Sequence, residues 1–224
     1  MSTTKSSLII YPTPQWVTAF TTGKNCEVED MGLCLDDLAL PRQTHSFHIM
    51  EVTEAGRPAD TDAVFTTRPG LCVCVKTADC IPVLLLLYDD HDRCVAAVHA
   101  GWRGTVASIA AHTVRLMPGL PAHVHAIIGP GISLQGFEVG DEVYEAFHLA
   151  GFPMQRIARR YPCVQGGERW HLDLWEANRW QLLEAGVQDI HVQGICTLSS
   201  PDYYSARRET INTGRNMNGI FINS

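Results

Sequence analysis

Three side chains stand out for the chemistry they can do: His45, Cys80 and His99. Imidazole nitrogen and thiolate sulfur are favoured zinc ligands, and three protein ligands leave one position open for water or substrate, the arrangement of a catalytic centre. The separations are 35 residues (45 to 80) and 19 residues (80 to 99), which match no zinc-finger spacing. Each ligand must therefore arrive from a different segment. With ten histidines and eight cysteines such trios are easy to draw, and a buried core thiol is the commoner fate of a cysteine like Cys80.

Other residues qualify by position. Asp79, beside Cys80, reads as a general base, an outer ligand support or simply a turn carboxylate. In Ala100-Gly-Trp-Arg-Gly104 the chain enters a helix, so backbone N–H groups together with Arg103 suit an anion. The same glycines serve equally well to permit a tight turn. Arg42 and Gln43 precede His45, and Arg207 with Arg208 closes a strand-like run whose side chains alternate in direction. Cys72 with Cys74, His123 with His125, and His48 and His91 carry no evident partner set.

The elements that must position these groups follow from periodicity. Two apolar runs of strand length, Cys80 to Tyr88 and Val95 to His99, flank the polar turn 89–92, and Thr105 to Met117 has helical spacing. Strands are also expected at 16–22, 42–52, 63–67, 71–77, 123–128, 189–193, 203–208 and 217–222. Helices are expected at 140–150, closed by Gly151, and from Trp170 to Gly186. Residues 23–41 show no regular period. Strands outnumber helices and β-α-β alternation is confined to the centre, so the fold class expected is α+β: a mixed α/β sandwich, one domain over residues 1–224, with β-sheets flanked by helices.

Composition narrows the function classes. Net charge is −7 and the 17 Lys and Arg residues are scattered, which argues against a nucleic-acid partner. The longest apolar run is nine residues, where a bilayer span needs about 20, so no membrane association is expected. The N-terminus lacks a secretory pattern, and the cysteines read as reduced thiols of a cytoplasmic protein.

The strings Arg42-Gln-Thr-His45, Thr77-Ala-Asp-Cys80, Val95-Ala-Ala-Val-His-Ala-Gly-Trp-Arg-Gly104, Ile128-Gly-Pro-Gly-Ile132, Phe137-Glu-Val-Gly140 and Tyr204-Ser-Ala-Arg-Arg208, through Thr213-Gly-Arg215, resemble the YfiH-type family. That family is also called the laccase-domain or multicopper polyphenol oxidase group. The resemblance implies one zinc held by His45, Cys80 and His99. It further implies phosphorolysis of adenosine, inosine and methylthioadenosine, with adenosine deaminase as a side activity. A purine nucleoside and inorganic phosphate are the partners implied, in a monomer or weak homodimer; the arginine-bearing helix start read above then sets the phosphate against Arg103, with Arg207 or Arg42 assisting. Copper-dependent polyphenol oxidation, peptidoglycan editing and non-catalytic nucleoside binding are the alternatives. Two departures stand out: Gln43-Thr-His-Ser46 replaces Gln-Val-His-Gly, and residues 23–41 lack the glycine-rich turn of relatives.

Overall fold

In the computed structural model, which describes residues 7–89, 92–163 and 166–224, the central unit is a six-stranded sheet. Asp90 and His91 lie outside the described residues. In chain order the strands are β1 (Ile9–Ile10), β2 (Val17–Thr21), β3 (Leu38–Ala39), β4 (Ile49–Glu51), β5 (Ala63–Thr66), β6 (Cys72–Thr77), β7 (Ile81–Tyr88) and β8 (Arg93–Ala100). There follow β9 (Val124–Ile128), β10 (Glu138–Val139), β11 (Ala158–Pro162), β12 (Glu168–Leu172), β13 (Asp189–Val192) and β14 (Asn216–Ile222). The helices are α1 (Trp102–Val106), α2 (Ile109–Leu116), α3 (Asp141–Leu149), α4 (Met154–Ile157) and α5 (Leu174–Glu184).

The central sheet has the order β13-β9-β7-β8-β5-β4, and a second runs β1-β2-β14-β6-β3. Their contact explains the unbroken apolar run of β7. Leu84 and Leu86 point to one face, where they pack with Val73, Val75 and Ile220 of the second sheet. Val83, Leu85 and Leu87 point to the other, against Ile109, Val114, Phe147 and Leu182 of the helices. A strand buried on both faces must be apolar at every position. Truncating one such side chain, as in Leu85→Ala, costs about 2–5 kcal/mol.

Residues 23–41, irregular in sequence, act as a cover. Val28, Leu38 and Leu40 pack with Phe20, Cys72, Cys74 and Met217 on the outer face of the second sheet. A small third sheet, β10-β12-β11, completes the α+β architecture.

Four expected elements are corrected. The strand expected at 42–52 shrinks to β4, because residues 44–46 give their N–H groups to a side chain rather than to a neighbouring strand. The helix at 105–117 divides into α1 and α2 where Ser108 takes a positive φ of 56°. Trp170 to Leu172 belongs to β12, and α5 starts only after Asp173, whose carboxylate caps Glu176 N–H at 2.9 Å. Residues 203–208 form turns rather than a strand: the Arg208 guanidinium gathers the carbonyls of Thr197, Leu198, Ser200 and Tyr203, which holds the segment in a coil.

Candidate metal centre

Strand pairing brings Cys80 and His99 together. In the β7–β8 ladder Ile81 opposes Ala100 and Pro82 opposes His99, so Cys80 sits at the mouth of β7 next to the end of β8. His45 arrives from the loop before β4, its Nε2 3.8 Å from Cys80 Sγ. The two imidazoles meet edge to face with centroids 4.9 Å apart. One ligand atom from each of the three residues lies within 4.8 Å of the others, and this is the one such His/Cys/Asp/Glu group found among the described residues.

One buried carboxylate organises all of this. Asp62 Oδ1 accepts from His99 Nδ1 at 2.6 Å, which leaves Nε2 of His99 as the ring nitrogen available for a metal. Its two oxygens also accept the backbone N–H groups of Thr44, His45 and Ser46 and the Ser46 hydroxyl. The same residue therefore orients the strand-borne histidine and clamps the loop that carries the other, whose left-handed φ of 62° needs such support. Its backbone joins in: the Asp62 carbonyl accepts from His99 N–H at 2.7 Å.

Electrostatics follow from the geometry. Burial alone would raise the Asp62 carboxyl, yet the hydrogen bonds from His99 and Ser46 hold it down at about 2. Burial likewise opposes charge on Cys80 and His99. The imidazolium of His99 nevertheless pulls the thiol below its ordinary value, while the Cys80 thiolate and Asp62 push the imidazole above its own. Without a metal the pair is thus a thiolate facing an imidazolium, and a bound cation would take the place of the Nε2 proton. Gly101 leaves room for it, since a Cβ there would sit 3.1 Å from His45 Cδ2 and 3.2 Å from Cys80 Sγ.

The centre opens into a cavity of about 680 Å³. Arg42 and Gln43 line it, together with Arg57, Lys76 and Arg215, and no aspartate or glutamate is among the described residues that do. Gln43 is occupied structurally: its amide pairs with both the N–H and the carbonyl of Lys76 at 2.8 Å, as a strand neighbour would.

The remaining expected residues are placed elsewhere. Arg103 is exposed on the five-residue α1, its guanidinium 4.3 Å from the Trp102 ring centre, and does not line the cavity. Arg207 also lies outside the lining, bonded to the Glu138 carbonyl and set against Phe137. Asp79 accepts from the Thr197 hydroxyl at 2.6 Å and the Arg207 N–H at 2.7 Å, so both of its carboxylate oxygens are engaged in tying loops together. His125 pairs with Asp189, His123 with Asp89 and His48 with Asp60. Asp62, Arg57, Lys76 and Arg215 are the site residues that sequence reasoning missed. A register signal existed for the first: Ala63 pairs with Val98, which sets Asp62 beside His99.

Comparison with known proteins places the chain in a family. Residues 23–223 match the family described as multi-copper polyphenol oxidoreductase laccase. The chain belongs to this family. It is 42% identical over 212 residues to a purine nucleoside phosphorylase of Bacteroides thetaiotaomicron, covering 87% of this chain and 77% of that one. It is 39% identical over 207 residues to a protein named adenosine deaminase RL5 from an unknown prokaryotic organism, covering 85% and 77%. Among solved structures, the YfiH protein of Bacillus licheniformis superposes with a TM-score of 0.85 at 26% identity, covering 98% of this chain and 97% of its own. YlmD of Geobacillus stearothermophilus gives 0.81 at 25% identity, covering 94% and 93%. This family of single-domain mixed α/β proteins includes nucleoside-processing enzymes.

Proposed function

We propose that the cavity beside His45, Cys80 and His99 is the active site of a zinc-dependent purine nucleoside phosphorylase acting on adenosine, inosine and methylthioadenosine. The observation that carries this reading is the convergence of three zinc-type ligands on the floor of a cavity lined by cations. Family resemblance to named phosphorylases supports the reaction class.

The donor set fits the metal. Two neutral imidazole nitrogens and a thiolate are the count and type that a catalytic zinc takes while keeping one position open. A zinc ion held there would supply a Lewis acid able to polarise a substrate oxygen, or to bring a bound water's pKa near 7. The protein's own contribution is positioning. Asp62 keeps the proton of His99 on Nδ1, Gly101 lets sulfur and imidazole approach, and the Gln43 amide locks the 42–45 loop to β6. The cationic lining draws in anionic reactants and opposes escape of a phosphorylated product.

The relative named adenosine deaminase gives a second reading for the same site, hydrolytic deamination of adenosine. The two activities are separable by product: inosine from adenosine in the absence of phosphate, against free base and ribose 1-phosphate in its presence. The test is product analysis of purified protein with inosine and phosphate, alongside metal analysis. One zinc per chain with phosphate-dependent release of hypoxanthine is expected. Copper at the site with phenol oxidation and no base release would replace this reading with the oxidase one.

A further inference from the structure

Phosphorolysis requires a place to hold its anionic nucleophile. We infer that Arg42, Arg57 and Lys76 together form the phosphate-binding wall of the cavity. The inference rests on the phosphorylase reading above.

Backbone bonding assembles the three cations. Arg42 N–H donates to the Pro58 carbonyl at 2.8 Å, which sets Arg42 beside the segment carrying Arg57. One residue later the Gln43 amide grips the backbone of Lys76 from both sides. The dipeptide 42–43 is thus held between the 57–58 segment and β6, and all three cationic residues line the cavity shared with His45, Cys80 and His99. Three positive charges gather where a chain of net charge −7 has ample acid to neutralise them.

Their pairing differs from that of other cations of the chain. Lys24, Arg156, Arg179 and Arg208 each have a carboxylate partner. Among the described residues the side chains of Arg42, Arg57 and Lys76 have none, and the cavity lining contains no acid. Arg215, the fourth cation of the lining, is already committed to the carbonyls of Ile211, Thr213 and Gly214. Clustered like charges without counter-charge repel one another, and a bound dianion relieves that repulsion while offering its oxygens to guanidinium forks and an ammonium. The helix start read from the sequence as an anion site carries Arg103, which is not among the residues that line the cavity.

The reaction then balances simply. An oxygen of the phosphate held by the wall forms a bond to C1′ of the ribose as the C1′–N9 bond breaks. The electron pair of that bond leaves with the purine, which takes a proton from water. The products are the free base and ribose 1-phosphate, whose phosphate remains on the same three cations.

The experiment measures phosphate twice, once without nucleoside. Inorganic phosphate titrated calorimetrically into zinc-loaded protein gives its Kd, and steady-state assays with inosine give its KM. Arg57→Gln and Lys76→Gln should each raise both values about tenfold or more, as loss of a charge-assisted contact does, with the KM for inosine within about twofold and the zinc content unchanged. Arg57→Lys should recover most of the loss. Unchanged phosphate Kd and KM in both Gln variants would overturn the wall while leaving phosphorolysis intact. Phosphate binding that weakens in the variants of a protein with no phosphate-dependent turnover would instead keep the wall and discard the phosphorylase reading.

Discussion

The two halves of the metal centre are built differently. Cys80 and His99 stand at the ends of paired strands, their separation set by the β7–β8 register and by a core packed on both faces. His45 rides on an exposed loop with a left-handed backbone, and what fixes it is a side chain, Asp62, rather than a ladder of hydrogen bonds. The lesson is that a rigid scaffold supplies two ligands outright, whereas the third is delivered by one buried carboxylate that also touches the second. Loop and scaffold are therefore coupled through Asp62.

The sharpest way to break this contrast is to delete ligands from each half. Cys80→Ala and His99→Ala should lower zinc affinity and phosphorolysis by more than the ~100-fold typical of outer-shell changes. His99→Ala should also lower the melting temperature, because it strands the buried Asp62 carboxylate. His45→Ala should lose metal yet melt close to wild type, since its ring is exposed. Equal melting losses in His45→Ala and His99→Ala, measured by calorimetry on metal-free protein, would erase the distinction.

Next comes the coupling itself. Asp62→Asn keeps the shape but puts an NH2 donor where one oxygen accepted two N–H groups, so zinc affinity should fall about 10–100-fold. Metal competition with a chelator checks it. An unchanged affinity would mean that loop and strands are fixed independently.

Thiol chemistry separates site from core by pH. In metal-free protein the Cys80 thiol is held below its ordinary pKa by His99, so its reactive thiolate is present from near-neutral pH upward. Burial pushes Cys74 and Cys94 up to about 12, so they stay protonated and inert at pH 7–9. Peptide mapping after alkylation at pH 7 should find Cys80 modified and these two untouched, with zinc protecting Cys80. The smallest effect expected is at Arg103, outside the cavity: Arg103→Ala should leave the phosphate KM within about twofold, and a larger rise would restore the helix start as the anion site.

The strand-borne half was the readable half. Apolar runs ending in Cys80 and His99 are local signals, and so were β5, β6, β9 and the core of the fold. The loop-borne half was not, because its logic is long-range. Asp62 looks like the end of a turn until β5 is laid against β8. Lys76 looks like a solvated strand residue until Gln43 is found gripping its backbone. Arg103 misled for the converse reason: the motif that carries it continues past His99 onto a short helix where its side chain is exposed against Trp102 and outside the cavity lining. The expected strand at 203–208 failed because alternation there serves Arg208's carbonyl contacts rather than a sheet.

One feature of the second sheet bears on how the protein is made. β14 lies between β2 and β6, and Asn218 of β14 is bonded to Thr21 and Thr77, partners 197 and 141 residues away. On a ribosome, β2 and β6 emerge long before the strand that joins them, so each waits with an open hydrogen-bonding edge until residues 216–222 have emerged. Nascent chains stalled before residue 216 hold every ligand of the centre yet lack the keystone of the sheet that carries Lys76. Such fragments should depend on chaperones, and catalytic competence should arise only once β14 has paired with β2 and β6.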